Sequence, residues 1–192
     1  MRLWLGAAVV SVGLPALSAA QEVVDIALPR TRLEAFAEQS GVVIIRGSSR
    51  VGDVRAQNGS AVVVESKEFT NARTGERAHG ITVEVKEAGT EDREHTSYVD
   101  FDEIPLLLQG LEYIGKVERS ATALDQFRAD YRTRDDLRIS TFSSENRWTQ
   151  VAVSSGTIER ARAHLAISDL EQMRALIQTA YTMLGKLRAR SK

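Results

Sequence analysis

"YVDFDEIPLLLQGLEYI", residues 98–114, passes from alternation to a helical stripe within a few residues, and the reading of that boundary decides the fold. Val99 and Phe101 alternate with Tyr98 and Asp100, the two-residue period of a strand. Ile104, Leu107, Leu108 and Leu111 follow at three- and four-residue spacing, the stripe of a helix that buries one side. Asp102 is placed to cap that helix, Glu103 to sit at the positive end of its dipole, and Pro105 in its first turn, where N–H groups lack partners anyway. An Asp cap is worth about 1 kcal/mol, reason enough for the residue without a ligand. A metal or acid–base site on Asp100, Asp102 and Glu103 would need side chains that alternate across a strand to converge. The acids are therefore read as mainly beginning a helix, with Asp100 left over on the polar side of its strand.

The same boundary recurs downstream. Sliding the chain by 66 residues lays Val99 on Leu165, Phe101 on Ile167, Asp102 on Ser168, Ile104 on Leu170, Leu107 on Met173 and Leu111 on Ile177. One pair disagrees, Leu108 on Arg174. "SDLE" offers Ser168 as a cap with Glu171 completing a capping box. Upstream of the first helix "AVVVESKEF", "ITVEVKE" and "HTSYVDF" read as strands, and upstream of the second "FRADYRT", "LRISTFS", "WTQVAVS" and "ARAHLAI" do.

The expected fold class is thus α+β: two similar antiparallel strand-rich units, residues 60–118 and 126–190, each closed by an amphipathic helix, with the helices packed on one sheet face. A short N-terminal helix, about three turns of "PRTRLEAFAEQSG" between Pro29 and Gly41, precedes them, and "VVIIRG" after it reads as a buried strand ended by Gly47. The connection "ERSATALDQ" is short, so residues 21–192 are read as a single α+β domain.

Residues 1–20, "MRLWLGAAVVSVGLPALSAA", have the basic start, apolar run and small residues at 18 and 20 of a cleaved signal peptide, which predicts a periplasmic or secreted protein. The apolar run from Leu3 to Leu14 is too short to span a bilayer. Without Arg2 the chain carries 24 basic against 26 acidic residues, a balance that gives no electrostatic reason to expect nucleic acid. The chain has no Cys, which excludes a lipid-anchored lipoprotein, a thiol nucleophile and thiolate metal ligation. Stability must come from an ordinary core, which a chain of this size supplies by hiding roughly 70% of its extended surface.

The usual catalytic spacings do not occur. There is no G-x-S-x-G string, and His79, His95 and His164 stand apart with neither H-x-x-x-H nor H-E-x-x-H spacing. "GERAHG" lacks the glycine spacing of a phosphate-cradling loop. No metal and no cofactor are expected.

"FRADYRTRDDLRISTF", residues 127–142, is the most informative polar stretch. A three-residue loop at 134–136 sets Thr133 opposite Leu137, Tyr131 opposite Ile139 and Ala129 opposite Thr141, an apolar side. A two-residue turn would instead set Arg132 against Ile139. In the first register the other side pairs Arg128 with Phe142, Asp130 with Ser140 and Arg132 with Arg138. Opposed arginines repel and need compensation, which Asp130 is placed to give. A pair of guanidinium forks also suits a carboxylate or other anion. Parity adds Trp148 and His164 to the same side, so the candidate binding residues are Arg128, Arg132, Arg138, Phe142, Trp148 and His164.

These readings point to a non-enzymatic module binding an envelope protein or a small anionic ligand; the alternative is a hydrolase using Asp100 with His95 or His164. The phrase "LEAFAEQSGVVII" resembles the short N-terminal domain of secretins and TonB-dependent receptors, but no plug or barrel sequence follows it. Paired strand-rich units with helices also resemble Whirly-type single-strand binders, which would imply nucleic-acid binding; export and the mild acidity point away from it.

Overall fold

A computed structural model describes residues 30–143, 149–157 and 160–190. The leader read at 1–20 lies outside the described residues. The chain is α+β, with two four-stranded antiparallel sheets, two longer helices packed against strands and a short N-terminal helix. After α1 (Arg32–Ala37) come β1 (Ile44–Arg55), β2 (Ala61–Asn71), β3 (Arg77–Glu87), β4 (Arg93–Asp100) and α2 (Ile104–Gly115). Beyond a 3-10 turn at 119–121 follow β5 (Arg128–Arg132), β6 (Arg138–Ser143), β7 (Thr149–Ser155), β8 (Ala161–Leu165) and α3 (Ile167–Arg190). Each sheet pairs its strands in chain order, β1 to β4 and β5 to β8.

The first sheet therefore begins well before residue 60. "VVIIRG" is not a buried strand ended by Gly47 but the start of β1, an edge strand that runs on to Arg55. Val43 and Ile45 are exposed, because β1 has a neighbour on one side only and its first half extends beyond the core. Where β1 does reach the core, a bulge between Arg50 and Gly52 resets its register and turns Val54 inward beside Val62.

The inner faces follow from alternation. Val62 and Val64 on β2, Ile81, Val83 and Val85 on β3, and Val99 on β4 are buried on one side of the first sheet, and Ile139, Val151, Val153, Ala161, Ala163 and Leu165 on one side of the second. Both sets join the helices in one apolar cluster. At about 2 kcal/mol for each large aliphatic side chain taken from water, this shared core is the main stabilising element.

The helices do not simply close their own units. α2 follows the first sheet but lies against β5 and β6 of the second, whereas α3 lies against β1, β2 and β3 of the first sheet as well as β7. They run antiparallel: Arg174 near the start of α3 reaches Glu112 near the end of α2 at 3.2 Å, and Phe101 before α2 stacks on Tyr181 further along α3 at 4.9 Å. The residues paired by the 66-residue slide share burial. Ile104 and Leu170, Leu107 and Met173, and Leu111 and Ile177 are all buried. Leu108 is buried where Arg174 is exposed and turned to Glu112.

Three local expectations are corrected. α1 has 6 residues, under two turns, with Thr31 and Glu34 forming a reciprocal capping box. Asp102 does not cap α2; a turn over 101–103 intervenes, Glu103 holds the N-cap position without a side-chain bond to the helix's own N–H groups, and Pro105 occupies the first turn as its ring requires. Ser168 does not cap α3, which already begins at Ile167; the Asp169 carboxylate instead accepts the Ala166 N–H at 2.9 Å.

Candidate functional site

The β5–β6 hairpin has the three-residue loop and the register that alternation demands. Arg128 stands opposite Phe142, Ala129 opposite Thr141, Asp130 opposite Ser140, Tyr131 opposite Ile139 and Arg132 opposite Arg138. The loop closes through Thr133 N–H donating to Leu137 C=O at 2.9 Å and Leu137 N–H donating to Thr133 Oγ1 at 3.1 Å, with Asp136 in the left-handed region at φ 55°. A residue of short polar side chain is among the few that tolerate that conformation.

Across the sheet the outward residues form rows. One is Arg132, Arg138, Ser154 and Arg162; the next is Asp130, Ser140, Ala152 and His164; the third is Arg128, Phe142 and Gln150. Small residues make the middle of this face, and Ser140, Ala152 and Ser154 are buried beneath the long side chains that flank them. Arg128, Arg132, Arg162, His164 and Gln150 are exposed, and Arg138 and Phe142 are half-buried. The helices pack on the opposite side. Of the sequence-predicted residues, Arg128, Arg132, Arg138, Phe142 and His164 share this face; Trp148 lies outside the described residues. Arg162 was missed, although parity in "ARAHL" puts it beside His164.

Four arginines face one Asp on this surface, and their partners are unequal. Arg128 Nε donates to both Asp130 oxygens at 2.9 and 3.1 Å, and its Nη2 donates to Ser140 Oγ at 3.1 Å. Burial pushes the Asp130 carboxyl up, but hydrogen bonds from Ser140 and Arg128 outweigh it and hold the group below the usual Asp value. Compensation for Arg132 comes from Asp136 in the loop rather than from Asp130. Among the described residues neither Arg138 nor Arg162 has a carboxylate within ion-pair distance. The outer face of the first sheet is different, since Asp53 takes both Arg50 and Arg55 at 2.8 Å, Lys67 meets Glu65 at 2.5 Å, and Lys86 meets Glu84 and Glu94 at 3.2 Å. That surface neutralises itself; the second sheet's surface keeps positive charge.

The loop that turns the hairpin also locks the two sheets together. Arg134 reaches Asp100 at 3.2 Å and Asp102 at 3.0 Å, with Glu103 Oε2 at 3.9 Å, and its backbone N–H donates to Glu103 Oε1 at 2.8 Å. The carboxylates at the β4–α2 boundary thus do converge, but on a guanidinium. Asp100 is buried and also accepts the Arg32 and Leu33 N–H groups at 2.9 Å each, so it anchors the start of α1. Burial raises the Glu103 carboxyl above its ordinary value, against the opposing pull of the Arg134 N–H and charge. Asp136, buried, pairs with both Arg30 and Arg132. Asp135 accepts the Tyr98 N–H at 2.7 Å, and burial pushes it up to about 6.

The Asp/His pair of the hydrolase reading does not form. His95 and Asp100 point to opposite sides of β4, an odd number of residues apart, and His164 is exposed on the outer face of the other sheet. His95 Nδ1 instead lies 2.8 Å from Ser155 Oγ, which lies 2.6 Å from Ser97 Oγ, and Ser97 donates to Asp135 C=O at 2.8 Å. Ser97 and Ser155 are fully buried, so no substrate reaches either hydroxyl, and the relay ties β4 to β7. His79 pairs with Glu68 at 2.9 Å. No group of acids and histidines among the described residues is arranged to hold a metal ion. No protein-family model matches the chain, and neither the curated proteins nor the solved structures provide a match.

Proposed function

We propose that this is an exported, non-enzymatic binding module that takes an acidic protein partner on the outer face of the second sheet. The observation that carries the reading is the row Arg132, Arg138, Ser154, Arg162, in which three of the four strands present a cation and two of these have no carboxylate within ion-pair distance among the described residues. An array of guanidiniums on a rigid sheet suits carboxylates, each fork offering two parallel donors. Phe142 and the small central residues add the apolar contact that a protein surface uses. The face is broad and open, which favours a macromolecule over a small ligand. The chain as a whole is close to neutral, so long-range attraction to a phosphate backbone is weak and nucleic acid is the less favoured polyanion.

We also infer that the two halves are versions of one plan, four antiparallel strands and a helix, with equivalent helix positions 66 residues apart. Only the second copy carries the unneutralised face, and that asymmetry marks it as the functional one.

Polyglutamate binding by the full chain at low salt tests the reading. Arg138→Ser combined with Arg162→Ser should weaken it ~10-fold or more, a change of about 1.4 kcal/mol. Stability should stay within about 0.5 kcal/mol, because both substitutions are outward. Unchanged affinity rejects the site, and tighter binding of an oligonucleotide than of polyglutamate moves the assignment to nucleic acid.

A further inference from the structure

We infer that the chain carries a second, separate site: a cleft for a small organic anion bearing two or more carboxylate or phosphoryl groups, at the foot of the first sheet. The cleft has a volume of about 630 Å³ and is lined by Arg32 at the start of α1, Arg77 and His79 on β3, Asp100 and Asp102 around the end of β4, and Arg188 near the end of α3. Four elements distant in sequence converge there.

Three arginines from three elements line this space, a set suited to several oxyanion groups on one molecule rather than to a single ion. Both acids of the lining have partners outside the cleft, and Asp102 also feels the charge of Arg32 within it. Both Asp100 oxygens accept N–H groups of α1, and Asp100 and Asp102 share Arg134, which does not line the cleft. Arg77 has one long ion pair, to Glu68 at 4.0 Å, while His79 holds the same Glu68 oxygen more closely at 2.9 Å. Among the described residues Arg32 has no carboxylate within ion-pair distance of its guanidinium.

Arg188 is set by an aromatic stack. Its guanidinium carbon lies 4.1 Å from the centre of the Phe101 ring, which in turn stacks on Tyr181. The size is within the range of small-molecule sites, and the charged lining selects a polar ligand over an apolar one.

The test is calorimetric titration of the full chain with citrate and with pyrophosphate, each against chloride at matched ionic strength. Saturable binding of either, with at least a tenfold loss in Arg77→Gln and no loss in Arg55→Gln, is the expected result. A stronger response to citrate assigns carboxylate recognition and a stronger response to pyrophosphate assigns phosphoryl recognition. Arg77→Lys, which keeps the charge and loses the fork, should fall between parent and Arg77→Gln. Failure of both anions to saturate the parent, or equal affinity in parent and Arg77→Gln, overturns the site. Because Arg138 lies on the other sheet, a loss confined to Arg138→Ser would assign the binding there and would equally overturn the cleft.

Discussion

Asp135 is a carboxylate that its surroundings hold against its charge. It is raised from the ordinary 3.8 to about 6 by burial, with the Tyr98 N–H pulling the other way. A folded-state pKa above the unfolded one means that the folded chain binds the extra proton between about pH 4 and pH 6, so stability falls as pH rises through that window. Asp135→Asn keeps an oxygen for the Tyr98 N–H and removes the charge. It should raise stability at pH 8 by up to about 3 kcal/mol and change little at pH 4, with partial water access reducing the figure. Urea unfolding at both pH values measures it, and an equal effect at both would contradict the assignment. Asp102, held low by Arg134, and Asp130, held low by Ser140 and Arg128 despite its burial, act in the opposite direction: their contribution is lost as pH falls through their depressed values. Maximum stability should therefore lie at pH ~4, where the lowered carboxylates are still ionised and Asp135 is still protonated. None of this was legible in the sequence, because Asp100 meets α1 across 67 residues and Asp135 meets Tyr98 across 37. Local pattern assigned Asp102 and Glu103 to starting a helix and left Asp100 over; Asp100 and Glu103 instead hold the neighbouring hairpin loop and Asp102 pairs with it from the surface.

At the scale of elements, the close approaches of the helices are matched in an inverted way. A Cβ on Gly110 in α2 would lie 2.3 Å from the Tyr131 ring of β5, so absence of a side chain lets α2 sit on the second sheet. The position equivalent by the 66-residue slide is Leu176 in α3, and there the gap is on the strand: a Cβ on Gly52 would lie 2.6 Å from the Leu176 terminal methyl. A ring boxed into a core moves less readily than a methyl. Gly110→Ala should therefore cost about 1–3 kcal/mol despite the better helix propensity of Ala, while Gly52→Ala costs less. Adding Tyr131→Leu should recover part of the loss, and the double-mutant cycle in urea reads the coupling; a stabilising Gly110→Ala would refute the contact. Element legibility divided along similar lines. The hairpin register was readable because one slip would turn Tyr131 and Ile139 outward, whereas β1 was misread because four consecutive β-branched residues hide that only Val42 and Ile44 are partly covered while Val43 and Ile45 face solvent.

At the scale of the whole molecule, the exchange of helices makes the two halves depend on each other. Residues 30–118 alone would leave α2 without β5 and β6, and the inner face of the first sheet without α3. The full chain should unfold in one transition with calorimetric and van't Hoff enthalpies equal, and the 30–118 fragment should not fold; two separable transitions would contradict the shared core. That core takes both inner faces; α1 covers part of the first sheet's outer face through Leu33, Phe36, Phe69 and Ala78, and the remaining outer surfaces are one self-neutralised by its own acids and one not. The most direct measurement of what the second face is for is arginine modification by phenylglyoxal, read residue by residue by mass spectrometry with and without polyglutamate. Protection of Arg132, Arg138 and Arg162 with unaltered labelling of Arg50 and Arg55 is the predicted result; equal labelling of all five, or protection confined to Arg50 and Arg55, would contradict it.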